Sequence, residues 1–406
     1  MADTENNKNS NSPASTSAPA LRFPGFTEPW RKCFISQLGD IITGNTPSTK
    51  QSENYSEDGY LWASPSDLNV TKYVYDTKTR LSQIGFQKTR IIPKHSILVT
   101  CIGSTIGKMG MASTVMSTNQ QINAVVVNSS FDKDFVYYAI QSRFPKYLSS
   151  IAVQAVPILS KSTFCELENY YPSKIEQTKI GELLSLLDER IATQRRLIEK
   201  LKTLIKGIVV FHFNNSNTKK TITIKNLGEA YSVGNLSKDD LSEYGKPCII
   251  YGELFTTYGC VASKIQSRTN KYTQATLSKA GDILFPASTT VDAISLIAPT
   301  SLQTNGVYVA GDMFGIHILP QFNSEYISYL LNYVYNRVLS KYAQGSTIIH
   351  LHYAYIKNTT IQLPCLEEQN KCAELLEALQ TKLDVAKQLI DRYQIQKSYL
   401  LQQIFI

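Results

Sequence analysis

Apolar residues recur at alternating intervals of three and four along two segments of this 406-residue chain. Residues so spaced share one face of a helix, so the pattern predicts two long amphipathic helices. The first seam consists of Ile180, Leu184, Leu187, Ile191, Gln194, Ile198, Leu201, Ile205 and Ile208. The second consists of Cys372, Leu376, Leu379, Leu383, Ala386, Ile390, Tyr393, Lys397 and Leu400. Proline precedes each predicted helix, at 172 and 364, where it punctuates a helix start.

A second apolar row lies beside the first seam and widens it beyond what pairing with one helix requires. It consists of Leu183, Leu186, Leu197 and Leu204. Such an extra apolar face buries either against the chain's own domains or against a partner protein, and the pattern leaves both alternatives open.

The chain also repeats itself. The motif Pro-x-x-x-Glu-Gln at 172–177 returns at 364–369, an offset of 192 residues. The segment Ile35-x-x-Leu38-Gly39-Asp40 returns as Ile224-x-x-Leu227-Gly228-Glu229, and Gly44-Asn45 returns as Gly234-Asn235. Repetition of half a chain predicts a pseudo-dimer on one polypeptide. Two-fold arrangements suit two-fold targets such as paired half-sites on DNA.

The globular parts mix helix and strand, which predicts an α+β protein. Strands are expected at 96–100, 124–127, 283–285 and 314–318, and short amphipathic helices at 132–143 and 323–340. The boundaries that we expect are a disordered tail over 1–20, globular domains over 21–171 and 212–363, a central helix over 172–211, and a final helix over 364–406.

The net charge of +8 favours a DNA-binding protein, although solubility alone also explains such a charge. The seven cysteines are odd in number and scattered, which favours free thiols in a reducing, cytoplasmic setting. The first 20 residues contain no apolar signal region, and no run approaches the roughly 20 apolar residues of a membrane span.

Motifs for catalysis are missing from the sequence. There is no Pro-Pro, and hence no Asn/Asp-Pro-Pro-aromatic motif of the amino-methyltransferases. The loop Gly103–Lys108 is one residue too short for a nucleotide phosphate loop, and Met109 follows it where Ser or Thr is needed. His350 and His352 have no third ligand in the pattern, so polar or DNA-facing roles are favoured over metal binding. No metal and no cofactor is therefore expected.

Loops of both halves carry the hydroxyls and cations that contact phosphates and base edges. For any one of them a solvated loop residue is the simpler interpretation, but the set as a whole predicts DNA contact. The candidate residues are Thr46, Ser48, Lys50, Ser104, Thr105, Lys108 and Lys161 in the first half, and Lys264, Arg268, Lys271, Ser288, Thr289, Thr290, Ser346 and Thr347 in the second.

These features resemble the DNA-specificity subunit of type I restriction–modification systems. The resemblance covers nearly everything from Leu21 to Ile406. It rests on the opening Leu21-Arg22-Phe23-Pro24-Gly25-Phe26-x-x-x-Trp30, on Leu38-Gly39-Asp40, on Gly44-Asn45-Thr46-Pro47-Ser48, on Gly103-Ser104-x-x-Gly107-Lys108, and above all on the duplicated Pro-x-x-x-Glu-Gln before each heptad helix.

The resemblance implies a non-catalytic subunit with two target-recognition domains, each reading one half of an asymmetric DNA site. It implies that the two helices pair as an antiparallel coiled coil that spaces the domains. The implied partners are double-stranded DNA, adenine methyltransferase (modification) subunits and motor–nuclease (restriction) subunits. Two alternatives remain: a catalytic nuclease or methyltransferase with dispersed active-site residues, and a coiled-coil scaffold that does not bind DNA.

Overall fold

The computed structural model describes residues 18–149 and 157–406, which form two units. The first unit takes the chain as far as Arg196 together with Gln388–Ile406, and the second is Leu197–Lys387. Of the predicted tail, residues 1–17 lie outside the described residues. Directly after the predicted tail, the N–H of Leu21 donates to the carbonyl oxygen of Gln403 at 2.9 Å.

The first globular part combines a five-stranded and a three-stranded sheet with short helices. Its strands are β1 (Arg31–Phe34), β2 (Gly39–Thr43), β3 (Tyr55–Ala63), β4 (Tyr73–Val74), β5 (Thr79–Leu81), β6 (Ile97–Thr100), β7 (Met109–Ala112), β8 (Ser117–Thr118), β9 (Ile122–Val127) and β10 (Glu168–Tyr171). Its helices are α1 (Ile35–Leu38), α2 (Gln83–Gln87), α3 (Lys133–Ser149) and α4 (Lys161–Cys165). The sheet orders are β2-β9-β6-β7-β4 and β5-β3-β8, and β1 pairs with β10.

The second globular part follows the first long helix, α5 (Lys174–Asn215). Its strands are β11 (Lys220–Thr223), β12 (Gly228–Ser232), β13 (Leu241–Ser242), β14 (Lys246–Ile250), β15 (Val261–Ala262), β16 (Ser267–Thr269), β17 (Thr276–Leu277), β18 (Asp282–Pro286), β19 (Ser288–Thr289), β20 (Thr300–Leu302), β21 (Tyr308–Ala310), β22 (Met313–Ile318), β23 (Ile349–His350) and β24 (Thr360–Leu363). Its helices are α6 (Ser324–Tyr333), α7 (Asn336–Leu339) and α8 (Tyr353–Ile356), and the last long helix is α9 (Leu366–Ile404).

One sheet is built in the same way in both units. The order β12-β22-β18-β20-β15 of the second unit matches β2-β9-β6-β7-β4 of the first, with a short parallel strand at the same edge. The pair β11–β24 likewise matches β1–β10. The second sheets differ, since β13-β16-β14-β21-β17 has five strands and β5-β3-β8 has three. The chain thus has α+β structure on a repeated framework with one divergent sheet in each unit.

The shared five-stranded sheet explains why the Leu-Gly motif is repeated. Gly39 begins β2 and Gly228 begins β12, and each lies directly against the neighbouring strand, β9 or β22. A Cβ atom on Gly39 would overlap the carbonyl oxygen of Val126, and one on Gly228 would overlap that of His317. Close backbone approach is a position that only glycine fills.

The repeated Glu-Gln dipeptide fastens each globular part to its long helix. Gln177 is 1% exposed and accepts a hydrogen bond from the backbone N–H of Asp132 at 2.9 Å while donating to the carbonyl oxygen of Pro172 at 3.0 Å. Gln369 does the same with Asn323 at 2.9 Å and Pro364 at 2.9 Å. The glutamine therefore joins the start of α3 or α6 to the turn before α5 or α9.

We expect Gln177→Leu to lower the free energy of unfolding of the first unit by about 2–4 kcal/mol, because two buried backbone groups lose their partners. Urea denaturation with hydrogen-exchange mass spectrometry measures the loss and assigns it to a unit. The control is Gln394→Leu, at an exposed position of α9. Equal stability of the two variants would contradict this role.

The glutamate of the dipeptide holds the chain segment that enters each unit. Arg22 makes two hydrogen bonds to the buried carboxylate of Glu176, with Nε to Oε1 at 2.7 Å and Nη2 to Oε2 at 2.8 Å. In the second unit, Glu368 Oε2 accepts from the hydroxyls of Ser216 at 2.6 Å and Thr218 at 2.7 Å. The same repeated carboxylate thus anchors unlike segments.

The heptad seams are buried over most of their length, and the predicted second row is not. Leu183, Leu186, Leu197 and Leu204 are 36%, 59%, 42% and 49% exposed, so the chain's own domains leave this row largely uncovered. None of the helices in the described part of the chain is long and apolar enough to span a membrane. All seven cysteines are free thiols.

The strands expected from apolar runs are confirmed as β6, β9, β18 and β22. The bounds predicted for three helices were wrong. The helix predicted at 132–143 runs on to Ser149 as α3, with Pro145 inside it. The helix predicted at 323–340 ends at Tyr333, and α7 begins separately at Asn336. The central helix α5 continues to Asn215, past the predicted end at 211.

Candidate nucleic-acid interface

A glycine loop lies between β6 and β7 of the first unit. Gly103 and Gly107 have φ values of +93° and +89°, which L side chains rarely adopt. A Cβ atom on Gly107 would also lie 2.8 Å from the Phe144 ring. The loop is closed at its base by hydrogen bonds between Thr100 and residues 107 and 108, which leaves Ser104 exposed. Thr105 and Lys108 of the same loop are partly exposed.

The segment before α4 lies against this loop. The N–H of Gly103 donates to the carbonyl oxygen of Pro157 at 3.0 Å, and the N–H of Leu159 donates to that of Cys101 at 2.8 Å. Lys161 follows as the first residue of α4 and is exposed. The structure therefore brings Lys161 to the segment that borders the predicted glycine loop.

Residues 44–50 reach the same surface through the β8–β9 turn. The N–H of Asn45 donates to Thr118 at 2.9 Å, and the hydroxyl of Thr46 donates to the side chain of Gln120 at 2.5 Å. The neighbouring Gln121 accepts from the N–H of Cys101 at 2.7 Å. Segments 44–50, 118–122, 101–108 and 157–161 thus form a chain of contacts, which we call the first loop surface. Ser48 and Lys50 are exposed within it.

Two further cations, Lys88 and Arg90, lie at this surface and were not predicted from the sequence. Arg90 Nη1 donates to the carbonyl oxygen of Thr43 at 2.7 Å, and Lys88 Nζ lies 2.8 Å from Asn54 Oδ1. Both cations are exposed residues that follow α2 and hold the 43–54 segment. They lie more than 30 residues away in sequence from the atoms they contact, and no motif marks them.

The second unit forms a comparable surface from a two-stranded ribbon. Ser288 and Thr289 in β19 pair with His350 and Ile349 in β23. The N–H of Leu351 donates to Ala287 at 2.9 Å, as that of Leu159 does to Cys101. The ribbon and the segment 344–351 are the second loop surface.

The predicted residues of this second surface differ in their exposure. Thr290, Ser346 and Thr347 are exposed, whereas Ser288 is only 8% exposed. Beside them the imidazole rings of His350 and His352 lie almost parallel, with centroids 6.2 Å apart. Two imidazoles and several hydroxyls supply donors and acceptors for phosphate or base edges.

Three predicted cations belong to a different group of loops. Arg268 Nη1 donates to the carbonyl oxygen of Gly245 at 3.0 Å. Lys271 Nζ lies 2.5 Å from Asp240 Oδ1, and this hydrogen bond is the main cause that lowers the pKa of Asp240 to about 2. The charge of Lys271 is therefore already balanced by a carboxylate. Lys264 is exposed in the segment after β15.

Across residues 18–149 and 157–406, no group of three or more histidine, cysteine or acidic side chains is placed to hold a metal ion. The arrangement instead offers two separate surfaces of loops that carry hydroxyls, amides and cations. Such groups bind by hydrogen bonding and charge.

The model of the type I restriction modification DNA specificity domain matches this chain twice, over residues 27–203 and 216–392. The chain belongs to this family. The two matches begin near the first strand of each globular part and end within the following long helix.

Individual members of the family are moderately similar in sequence. The HindI specificity subunit of Haemophilus influenzae is 33% identical over 179 residues, which is 42% of this chain and 39% of that protein. The MjaIX specificity subunit of Methanocaldococcus jannaschii is 30% identical over 181 residues, which is 43% of this chain and 41% of that protein. The matches thus span about two fifths of these relatives. The MjaVIII specificity subunit of the same archaeon is 23% identical over 410 residues and is covered to 91%.

Solved structures share the fold. The S subunit of the type I restriction–modification system from M. genitalium matches 96% of this chain and 99% of its own, with a TM-score of 0.64 and 17% identity. A chain from a structure of type I restriction–modification complex assembly and conformational transition gives a TM-score of 0.52 with 14% identity, over 95% of this chain and 97% of its own.

Proposed function

We propose that this chain is the non-catalytic subunit that gives a type I restriction–modification enzyme its DNA sequence specificity. The observation that carries the proposal is the presence of two unlike loop surfaces on one repeated framework. One surface is built on a glycine loop and the other on a β-ribbon with two histidines. Each surface reads one half of an asymmetric, bipartite site, because unlike donors and acceptors select unlike base edges.

The domain assignment follows from this proposal. Residues 21–171 and 212–363 are the two target-recognition domains, and residues 172–211 and 364–406 are the helices between them, with 1–20 as a tail. The predicted cations and hydroxyls of the two loop surfaces are the DNA contacts, together with Lys88 and Arg90. Lys271 is the weakest candidate among them, because Asp240 already balances its charge.

The two long helices pair as an antiparallel coiled coil in this proposal. Asp188, in the first half of α5, is joined to Lys397, in the second half of α9, within the first unit. Glu368, at the start of α9, accepts from Ser216, which directly follows α5, within the second unit. The start of each helix therefore meets the end of the other, which supports antiparallel pairing around the buried heptad seams.

The exposed second row of apolar residues is the docking face for methyltransferase subunits. Its leucines are up to 59% exposed on α5, whose heptad face is already buried, and such rows mark protein interaction sites. The methyltransferase subunits modify adenine, and motor–nuclease subunits join them for restriction. The chain itself contributes recognition and assembly.

Sequencing of methylated adenines in cells with and without this chain, alongside methyltransferase subunits, tests the function. We expect one bipartite motif with a fixed gap that appears only when the chain is present. A continuous motif, or methylation unchanged by the chain, would rule the proposal out. Turnover by the purified chain alone would favour the catalytic alternative.

A lysine pair provides the test of the first loop surface. Lys108→Ala with Lys161→Ala should weaken binding to the identified site by about tenfold and reduce the salt slope by about 1–2, since each lost phosphate contact removes about 0.9 from it. Fluorescence anisotropy at several salt concentrations measures both quantities. The control is Lys200→Ala with Lys382→Ala, exposed cations on the long helices. Equal losses in the two variants would mean that charge, and not this surface, determines affinity.

A further inference from the structure

A buried network of charges lies where α3 meets the two long helices in the first unit. Tyr138 of α3 is fully buried and donates its hydroxyl to Asp188 Oδ2 of α5 at 2.6 Å. Asp188 Oδ1 lies 2.7 Å from Lys397 Nζ of α9, and these two side chains are 17% and 16% exposed. Asp188 thus has one partner from the globular part and another from the last helix.

Lys72 completes the network from the loop before β4. Its Nζ atom lies 2.6 Å from Asp134 Oδ1 and 2.6 Å from Ser185 Oγ, and its side chain is 6% exposed. Burial lowers the pKa of Lys72, and the hydrogen bond to Asp134 opposes that shift. The ammonium groups of Lys72 and Lys397 lie 4.5 Å and 5.2 Å from the centroid of the Tyr138 ring, so two cations share one aromatic ring.

The second unit has no lysine at the equivalent of Lys72. The N–H of Ser301 donates to the carbonyl oxygen of Cys260 at 2.8 Å, as that of Met111 does to Lys72 at 2.7 Å. The two backbones therefore correspond, and Cys260 stands where the first unit has its buried cation. Cys260 is itself buried.

The helix pair of the second unit also lacks the ion pair between Asp188 and Lys397. The repeat offset of 192 residues puts Gln380 at the position of Asp188, and Ile205 at the position of Lys397. Ile205 is 1% exposed. Tyr329 corresponds to the tyrosine of the network, yet its buried hydroxyl has no hydrogen-bond partner within the described part of the chain. An ion pair joins the two long helices at this position in the first unit, whereas in the second unit Gln380 donates a hydrogen bond to Asp384 of its own helix at 3.0 Å, so the two sites are not interchangeable.

From this difference we propose that the first unit is a charge-selective docking site for the last segment of α9, residues 388–406, and that it discriminates against the corresponding segment of α5. The proposal rests on the pseudo-two-fold helix pairing of the proposed function. Apolar fit alone does not separate the two segments. Phe405 packs on Trp30 and Phe135 in the first unit, and Phe213 packs on Tyr335 in the second.

The selectivity follows from the unpaired charge that each pairing of two like halves would bury. Two copies of the first half, paired symmetrically, would place Ile205 opposite Asp188 and leave that carboxylate without its cation. Two copies of the second half would place Lys397 opposite Gln380. Removing one partner of a largely buried ion pair is unfavourable because the other charge stays without its counterion, and specificity arises when such penalties act on the alternatives. The unlike halves are therefore the favoured pair, which keeps the two reading surfaces different.

A nicked form of the full chain tests this without DNA. A protease site inserted at Asn217, an exposed residue between α5 and β11, allows the folded chain to be cut into two fragments that stay associated. The nicked protein is unfolded in urea and refolded, and native mass spectrometry counts the fragment pairs. For the parent sequence we expect unlike pairs to exceed like pairs by about tenfold or more, as each 1.4 kcal/mol of preference gives a factor of ten.

Two variants and a control decide the outcome. Asp188→Gln with Lys397→Ile copies the second unit's residues into the first and removes the unpaired charge from both kinds of like pair, so like pairs of both fragments should rise about tenfold. Gln380→Asp with Ile205→Lys installs the ion pair in the second unit, and both kinds of like pair should then appear. The control removes an exposed pair on α5 with Glu199→Gln and Lys202→Ile, and should change nothing.

The second variant decides alone if the first does not refold. Free formation of like pairs by the parent sequence would overturn the proposal. Unlike pairing that persists unchanged in every refolded charge variant would also overturn it. Because no DNA is present, these results are independent of whether the chain reads a bipartite site.

Discussion

Removal of Ile404–Ile406 is expected to destabilise the first unit severely while the second unit stays folded. Ile404 and Phe405 are 4% and 8% exposed, and the Phe405 ring lies 6.1 Å from that of Trp30 and 5.5 Å from that of Phe135. Truncation of a buried phenylalanine typically costs about 3–5 kcal/mol, a large part of a domain's total of about 5–15 kcal/mol. Loss of the neighbouring isoleucine adds to this cost.

Hydrogen-exchange mass spectrometry measures this effect unit by unit. Peptides from β6, β9 and α3 should lose protection in the truncated chain and, to a smaller degree, in Phe405→Ala. Peptides from β18 and β22 should keep theirs. The control is Ile395→Ala, a residue of the same helix that is 70% exposed. Unchanged protection in the first unit after truncation would show that the segment is not part of its core.

Periodicity predicted the elements whose burial is regular along the chain. The heptad spacing located α5 and α9, and apolar runs located the central strands, because each of these patterns repeats within a few residues. The break between α6 and α7 had no such local signal. The N–H of Val334 and that of Tyr335 both donate to the carbonyl oxygen of Leu330, which ends the regular helix before α7 begins.

The repeat identified residues that both halves share, but it did not show which contacts these residues make. Gln177 was visible as half of a duplicated dipeptide, but its partner Asp132 lies 45 residues earlier and carries no motif. The network of Lys72, Asp188 and Lys397 could not be predicted from the sequence, because the repeat does not contain it. Lys72, Asp188 and Lys397 are separated by more than 100 residues from one another, and none of them is repeated in the other half of the chain. Long-range contacts that occur only once produce no periodic pattern or repeat in the sequence.

The loop surfaces were predictable in composition and only partly in arrangement. Hydroxyls and cations suggested the glycine loop and Lys161, and the structure joins their segments through backbone hydrogen bonds. The contribution of Lys88 and Arg90 could not be inferred, because their contacts to the 43–54 segment depend on the tertiary fold. The side chain of Ser288 was predicted to face DNA, yet it is largely buried in the ribbon.

The two units make the same contacts in their shared framework and differ in their loops. Gly39 and Gly228, or Gln177 and Gln369, make matching contacts in the two units. The loops after β6 and β18 do not correspond in sequence or conformation. A framework that tolerates such exchange separates recognition from spacing, and that separation can be tested directly.

Inserting one heptad into each long helix should lengthen the gap between half-sites by about three base pairs without changing either half-site. The insertions go between Arg196 and Leu197 in α5 and between Lys387 and Gln388 in α9, where the chain passes from one unit to the other. Seven residues extend a helix by roughly 10 Å and keep the seam in phase, and B-DNA advances about 3.4 Å per base pair. The loop surfaces are untouched, so base preference should persist.

Sequencing of methylated adenines in cells that carry the lengthened chain measures the new gap directly. Added rotation between half-sites is expected to weaken methylation, so the motif should be recovered at lower occupancy. The control inserts two residues at the same places, which puts each seam out of phase and should abolish the motif.

Exchange of the second domain is the complementary change. Replacing residues 212–363 with the corresponding domain of another family member should alter one half-site and keep the gap. A heptad insertion that changed base preference within a half-site, with the fold intact, would refute the separation of spacing from recognition.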